Sequence, residues 1–333
     1  MLNIALIGAG AIGQVHARNL SFHTGAKLVY VCDTNADVAN SVAVEYGARA
    51  VVSMDDALGD DVDGVIVASS TSTHGDVTKA CIEAGKPFLC EKPLASDLPT
   101  ATKIVESVRS KNLIAGMAFN RRLHPQYSGI RAAVASGEIG QVESMLITSR
   151  TASAPTIEFI KTSGGLFGEK GSHFYDLVRW ITGEHPVELF AMGAALVNPR
   201  FADVGEVDTA MITMRLPSGA LCLLDFSWRA AYGQDERLEV VGSQGMLQTQ
   251  QALVGPFLRF TPSGMAQDGP MPTWYQRFEQ TYAMELDVFF QAIETGQLGE
   301  FPTLVDGLAA QQLADAAKQS VQEGIPVAIT QIG

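Results

Sequence analysis

Two short stretches hold the residue types that could do chemistry. In Cys90-Glu91-Lys92-Pro93 a short apolar run stops on an acid, a base and a proline. A lysine after a strand is usually a solvated loop residue, but open parallel sheets bind ligands outside the carboxyl ends of their strands, where Lys92 would lie. The second stretch is Glu169-Lys170-Gly171-Ser172-His173-Phe174-Tyr175-Asp176. A helix starting near Glu169 would carry Glu169, His173 and Asp176 on one face, at i, i+4 and i+7. Phe174, Leu177, Val178 and Ile181 would form a separate apolar stripe facing the core. A lone helical histidine is more often structural. One flanked by two carboxylates, away from the apolar stripe, is a better base, because the acids orient the ring and raise its basicity. The Glu-x-x-x-His spacing also suits a metal, but no third ligand is spaced nearby, and no metal is expected. His173 is thus a candidate base and Lys92 a candidate charged contact at a ligand.

The first third of the chain is patterned to bind a nucleotide. Residues 2–7 are a continuous apolar run, as in a strand buried on both faces of a parallel sheet. Gly8-Ala9-Gly10-Ala11-Ile12-Gly13 follows at once and opens a helical stretch. Gly8 allows the tight turn, Gly10 lets backbone approach a pyrophosphate, and Gly13 permits close helix–strand packing. The helix N-terminus, at Ala11 and Ile12, offers unsatisfied N–H groups to the phosphates. About twenty residues past Gly13 a second apolar strand ends on Asp33. A carboxylate there accepts from a ribose diol and repels a 2′-phosphate, and Thr34-Asn35-Ala36 supply no cation to welcome one, so NAD is expected over NADP.

The strand–helix alternation continues to a sixth strand over 113–119, which implies a doubly wound parallel sheet. The hydroxyl-rich loop of Ser69, Ser70, Thr71, Ser72 and Thr73 follows the fourth strand and would face the cofactor. His74 either starts the next helix in a structural role, the favoured reading, or contacts the nicotinamide side. Arg121 and Arg122 follow the sixth strand, and read equally as surface charge or as cofactor and substrate contacts. Glu91 and Lys92 belong to the same edge.

From about residue 124 the pattern changes. One helix, 125–135, precedes longer alternating segments at 142–150, 187–196, 208–216, 220–228 and 236–241, with Pro217-Ser218-Gly219 as a hairpin turn. This predicts an α+β domain with a largely antiparallel open sheet, covered on one face; apolar outward positions on the other predict sheet-to-sheet homo-oligomerisation. The aromatic cluster of Trp274, Tyr275, Phe278 and Tyr282 reads either as a wall of the substrate site or as helix core.

At 333 residues the chain exceeds one ordinary core and divides into an expected nucleotide-binding domain, 1–120, and a substrate-binding and oligomerisation domain, 121–333. The formal net charge of -13 argues against nucleic acid or an anionic membrane as partner. No apolar run is long enough to span a membrane, and Met1-Leu2-Asn3-Ile4 enters a strand with no basic stretch before it. Cys32, Cys81, Cys90 and Cys222 lack metal-site spacing and read as reduced, mostly buried thiols of a cytoplasmic protein.

Taken together, the glycine loop, Glu91-Lys92-Pro93 and the Gly164-Gly165…His173-x-x-Asp176 pattern resemble the glucose-fructose oxidoreductase / inositol dehydrogenase / rhizopine catabolism family, and within it the inositol 2-dehydrogenases. The likeness covers nearly the whole chain, including Phe119-Asn120-Arg121-Arg122, residues 158–167 and 231–235. It implies an oxidoreductase moving hydride from a carbinol carbon of a cyclic polyol or sugar to nicotinamide, commonly a tetramer paired through the second domain's sheet. It implies further that the residue matching Lys92 holds the reacting hydroxyl, that the one matching His173 takes its proton, and that the peptide before Pro93 is often cis. Arg122, Arg150, Thr151, Asp176, Tyr232 and Gln234 fall where such enzymes contact substrate. Three positions depart from the inositol enzymes: Glu169 replaces the usual Asp, Thr151 follows Arg150 where Asn is frequent, and Gln234 stands where a second tyrosine is common. The departures leave two other readings open: a sugar or sugar-acid dehydrogenase or carbonyl reductase, and a regulator that binds NAD without turnover.

Overall fold

The computed structural model describes residues 1–255 and 257–331; Pro256, Ile332 and Gly333, all within the expected second domain, lie outside the described residues. The apolar runs of the first third do form strands: β1 (Leu2–Ile7), β2 (Ala26–Cys32), β3 (Arg49–Val51), β4 (Gly64–Val67), β5 (Phe88–Cys90) and β6 (Ala115–Met117). All are parallel, in the order β3-β2-β1-β4-β5-β6. That order reverses direction between β1 and β4, so their carboxyl ends open the crevice where dinucleotides bind. The interleaved helices are α1 (Ala11–Ser21), α2 (Ala36–Tyr46), α3 (Met54–Ala57), α4 (His74–Glu83) and α5 (Leu98–Lys111). Local chemistry sets their ends. The Asn35 side chain accepts from the Asp37 and Val38 amides to start α2, and Asp97 accepts from Thr100 to start α5. Gly47, at φ 70°, closes α2 in the left-handed region.

After β6 come α6 (Pro125–Ala135), β7 (Val142–Arg150), α7 (Ile157–Ser163) and α8 (Gly171–Thr182). They are followed by β8 (Glu188–Ala194), β9 (Thr209–Arg215), β10 (Leu221–Ser227), β11 (Asp235–Gly242) and β12 (Gly245–Gln248). A small hairpin, β13 (Leu258–Thr261) and β14 (Gly264–Gln267), precedes α9 (Trp274–Thr295), α10 (Leu304–Glu323) and β15 (Val327–Ala328). The second sheet runs β12-β11-β7-β10-β9-β8-β15 and is antiparallel except where β7 meets β10. Its strands alternate as expected. Met145, Ile147, Ile212, Met214, Cys222, Leu224 and Phe226 point to a buried face, with the Phe174 ring of α8 tilted against that of Phe226, centres 5.4 Å apart. Leu146, Met192, Met211, Leu221 and Leu223 lie exposed on the other.

By contact the chain forms two units. The first comprises Met1–Leu123, Thr162–Gly164 and Gln280–Gln312; the second comprises His124–Lys161, Gly165–Glu279 and the residues from Leu313 on. The first unit therefore recruits a segment far along the chain. A doubly wound sheet needs both faces covered, and Leu286, Phe289, Phe290 and Phe301 join the core built from Ile4, Leu6, Ile66 and Leu89. Gly64 and Gly116 make room: a methyl on Gly64 would meet Ile293 at 2.6 Å, and one on Gly116 would overlap the Phe301 ring. Each buried phenylalanine contributes about 1.5–3 kcal/mol. Among the described residues no helix is long and apolar enough to cross a membrane.

The three glycines of the loop after β1 are not equivalent. Gly8 has φ 97°, and a methyl there would overlap the backbone of Ala68 and Ser69; one on Gly13 would overlap the Gly8 carbonyl, while one on Gly10 would meet nothing. Gly8→Ala is therefore expected to destabilise the fold by about 2–5 kcal/mol, through backbone strain and overpacking. Gly10→Ala should shift stability by no more than about 1 kcal/mol. Denaturant unfolding of the two variants checks this; equal losses would contradict the assignment.

Candidate active site

The residues singled out in the first unit gather at the carboxyl ends of the parallel strands. Gly10 is the N-cap of α1, has extended backbone and contributes no side chain, so the first-turn amides of α1 remain available to an anion. Ala11 and Ile12 begin that turn. Asp33, directly after β2, ties the loop to the sheet: its Oδ2 accepts from the Ala9 amide at 2.7 Å and its Oδ1 from the Asn35 amide at 2.8 Å. Each oxygen retains acceptor capacity for a ribose hydroxyl. Open space before Gly10, tight packing at Gly8 and Gly13, and a carboxylate at the end of β2 together fit an adenine dinucleotide without a 2′-phosphate.

After β4, Thr71–Thr73 forms a single 3-10 turn, in which the Thr73 hydroxyl donates to Ser69 Oγ at 2.8 Å and Ser70 pairs with Ser72 at 3.3 Å. His74 is the first residue of α4 and is buried. Its Nδ1 lies 2.8 Å from the Pro93 carbonyl and its Nε2 3.0 Å from the Ser69 carbonyl. Both nitrogens are thus engaged with backbone, and the ring clips the hydroxyl-rich loop to the turn that carries Lys92. Burial pushes its pKa down, against the pull of those carbonyls.

The turn itself follows β5. Cys90 and Glu91 are buried, Lys92 is half-buried, and the Lys92–Pro93 peptide is cis. Glu91 Oε1 lies 2.8 Å from His16 Nε2, and Oε2 accepts from the Lys92 amide at 3.3 Å. Burial alone raises the carboxyl's pKa, but the His16 hydrogen bond and the charges of His16 and Lys92 outweigh it and hold the group below the usual carboxylate range. After β6, Asn120–Leu123 forms a 3-10 turn in which Arg121 and Arg122 are both buried. That excludes the reading of this pair as surface charge. Arg122 makes an ion pair with Asp306 at 3.1 Å.

In the second unit the helix does not start at Glu169. Leu166–Lys170 forms a π-helical turn, and α8 begins at Gly171. Glu169 therefore lies in the π-helical turn that runs directly into α8, and not in the α-helix that carries His173 and Asp176. Gly165 enters the turn at φ 69°, where any side chain would overlap the Glu206 carboxylate, itself paired with Lys318 at 3.2 Å. The stripe of Phe174, Leu177, Val178 and Ile181 is buried as expected, yet His173 and Asp176 are buried too. This half of α8 is enclosed on all sides rather than amphipathic. Lys170, next to Glu169, is also buried, its Nζ 4.6 Å from the Trp228 ring centre and 3.4 Å from Ser149 Oγ.

Arg150 and Tyr232, expected at the substrate, belong to a charged network across the ends of β7, β10 and β11. Arg150 pairs with Asp225 and donates to the Tyr232 hydroxyl at 3.1 Å. Tyr232 donates to Asp235 at 2.6 Å, and Arg237 pairs with Asp235 at 2.7 Å. Thr151 follows at the end of β7; its hydroxyl oxygen is buried with no hydrogen-bond partner among the described residues. Gln234 is buried, its amide donating to the Met271 carbonyl at 2.9 Å and its carbonyl accepting from Gln251 at 2.9 Å. Of the aromatic cluster, Phe278 and Tyr282 are core residues and Trp274 is exposed.

Sequence reasoning missed His16, Asp225 and Asp306 as partners of Glu91, Arg150 and Arg122. His16 alone left a signal. It falls on the buried face of α1, three residues after Gly13, where an imidazole needs a partner.

Comparison with known proteins agrees with this architecture. The sequence matches the "Oxidoreductase family, NAD-binding Rossmann fold" over residues 2–119 and the "Oxidoreductase family, C-terminal alpha/beta domain" over residues 131–329. An inositol 2-dehydrogenase of Rhizobium meliloti is 35% identical over 334 residues, covering 98% of this chain and 99% of that protein. A myo-inositol 2-dehydrogenase of Thermotoga maritima is 33% identical over 336 residues, covering 99% of each. The solved structure of scyllo-inositol dehydrogenase from Lactobacillus casei, with bound NAD(H) and scyllo-inositol, superposes with a TM-score of 0.91 at 25% identity, over 98% of this chain and 99% of that one. The chain belongs to the GFO/IDH/MocA oxidoreductase family, and its first domain is that family's NAD-binding Rossmann fold.

Proposed function

We propose that this protein oxidises a secondary hydroxyl of a cyclic polyol, an inositol or a close relative, to a ketone, in the cytoplasm. The observation that carries the reading is the full-length likeness to proteins named inositol 2-dehydrogenases, in a chain that keeps both Lys92 and His173. NAD, when bound, supplies the hydride acceptor. The α1 N-terminus with Gly8, Gly10 and Gly13 would hold its pyrophosphate, Asp33 its ribose, and Ser69, Ser70, Thr71, Glu91, Lys92 and Arg121 the neighbouring edge. His74 supports that edge through the Ser69 and Pro93 carbonyls.

Lys92 holds the reacting hydroxyl, and its charge stabilises the alkoxide that develops as the proton leaves. His173 removes that proton as general base. Asp176 and Glu169 orient the ring or hold neighbouring hydroxyls. Arg122, Arg150, Thr151, Tyr232 and Gln234 contact the rest of the substrate; the buried Thr151 hydroxyl supports this most directly, whereas Arg150 and Tyr232 act within their own network. A sugar or sugar-acid substrate is favoured by one specific feature: Glu169, one methylene longer than the family's usual Asp, sits in a π-turn.

Initial NADH production against inositols, hexoses, pentoses and sugar acids, repeated with NADP, tests the reading. Turnover of an inositol isomer with NAD is expected. Turnover of a sugar with inositols silent would move the substrate to the second reading, and NAD binding without any turnover would favour a regulator. Lys92→Ala should lower kcat by about 10²–10⁴-fold and leave NAD affinity nearly unchanged. Loss of NAD binding in that variant would remove Lys92 from the proposed role.

The same proposal includes a homo-oligomer joined through the outer face of the second sheet. In register, Met192 lies opposite Met211, and Leu223 is flanked by Thr213 and Leu146. Leu146, Met192, Met211, Leu221 and Leu223 are all exposed, and contiguous apolar surface of this kind marks an interaction site. Met211→Lys combined with Leu223→Lys should reduce the mass seen by native mass spectrometry to that of a smaller assembly. A wild-type monomer, or an unchanged mass in the variant, would refute the interface.

A further inference from the structure

Next to the turn that carries Lys92, three ionisable side chains of the first unit meet out of solvent. They are His16 of α1, Glu91 after β5 and Glu285 of α9; all three are buried, and their nearest polar atoms lie within 4.8 Å of one another. Glu91 is well held, by His16 at 2.8 Å and by the Lys92 amide at 3.3 Å. Glu285 is not: neither carboxyl oxygen has a hydrogen-bond partner among the described residues, and none of its surface is exposed. An ionised carboxylate enclosed this way, facing a second carboxylate, is costly. It needs either a proton or a cation.

The geometry favours the proton over a tetrahedral ion. Ligands sharing one tetrahedral ion at bonds of about 2.0–2.1 Å sit about 3.3–3.4 Å apart. His16 and Glu91 are closer, at the length of a direct hydrogen bond. We propose that Glu285 is a neutral acid in the folded protein and a positioning residue for Lys92, its O–H facing the Glu91 carboxylate and helping to fix the turn that Glu91 holds. Only one negative charge is then buried in the cluster. The titratable groups around it are His16, with the edge of Tyr282 at 5.9 Å from its ring, Cys90 and Lys92 flanking Glu91, and His74 across the turn. Burial and the neighbouring Glu91 push the Glu285 carboxyl well above the usual range, which agrees in direction.

The sign of the pH dependence follows. An acid whose pKa is raised by folding binds more protons folded than unfolded between its unfolded pKa, about 4.3, and its folded one. Stability therefore falls as pH rises through that window and is unaffected below it. Glu285→Gln keeps the shape of the neutral acid, retains a donor and does not titrate.

The test measures thermal midpoints of wild type and Glu285→Gln from pH 4 to 9. The variant should match wild type near pH 4 and gain a widening advantage of a few degrees by pH 8. Parallel curves would overturn the neutral acid. Manganese or zinc bound stoichiometrically to the purified protein, and lost in the variant, would identify a cation site and overturn it as well. For positioning, Glu285→Leu should lower kcat about tenfold, as expected for losing about 1.4 kcal/mol of alignment, with NAD affinity unchanged and Glu285→Gln recovering most of the loss. Equal rates in the two variants would leave Glu285 without a positioning role. The rate comparison rests on the proposed role of Lys92; the midpoint comparison does not, and it still decides the protonation state if the leucine variant fails to fold.

Discussion

The first unit depends on one backbone contact, the approach of α1 to the end of β1. Gly13 lies against the Gly8 carbonyl, and Gly8 against the backbone of Ala68 and Ser69, so closely that no side chain fits at either position. The contact places the α1 N-terminus at the point where strand order reverses, beside Asp33, whose carboxylate accepts the Ala9 amide. It also fixes what lies one turn further along. His16 reaches Glu91 because α1 sits this near the sheet, and Glu91 in turn accepts from the Lys92 amide. A packing requirement of two glycines, Gly8 and Gly13, is thus transmitted by hydrogen bonds to the turn that carries Lys92.

A second constraint comes from the sheet. Parallel strands buried on both faces leave no side to water, and the helices between β1 and β6 are not the whole cover. The remainder comes from residues 280–312, whose Leu286, Phe289, Phe290 and Phe301 complete the core. The return of this segment has chemical consequences as well as mechanical ones. It delivers Asp306 to Arg122, Thr281 to Asn120 and Glu285 to the neighbourhood of Glu91. Elements after β5 and β6 therefore acquire partners more than 150 residues away in sequence.

These long separations separate what was legible in the sequence from what was not. The strands were legible because a buried parallel strand is a continuous apolar run, and the second sheet because one-sided burial imposes alternation; 125–135 and 142–150 coincide with α6 and β7. The glycine loop was legible because each glycine has a separate steric reason. The π-turn at Leu166–Lys170 was not, since its residues also suit an α-helix and nothing local reports that the turn is entered through Gly165 at φ 69°, packed against the distant Glu206 carboxylate. The burial of Arg121 and Arg122 was equally hidden. Charge next to a strand end reads as surface until a distant acid, here Asp306, is known to meet it.

On the roles proposed for these residues, the distribution of partners keeps chemistry and substrate choice apart. Lys92 sits on a turn held by Glu91, His16 and, through the Pro93 carbonyl, His74, all buried. On the role proposed for Lys92, a change in any of these would disturb the reaction itself. The three departures from the inositol enzymes fall elsewhere: Thr151 at the end of β7, Glu169 in the π-turn and Gln234 before β11. Thr151 and Gln234 flank the network of Arg150, Asp225, Tyr232 and Asp235, in which charges satisfy one another. Exchanging a side chain beside a self-satisfied network changes local shape and polarity without stranding a buried charge. On the proposed site, substrate preference is consequently free to drift on this scaffold while the means of removing a hydride stay fixed.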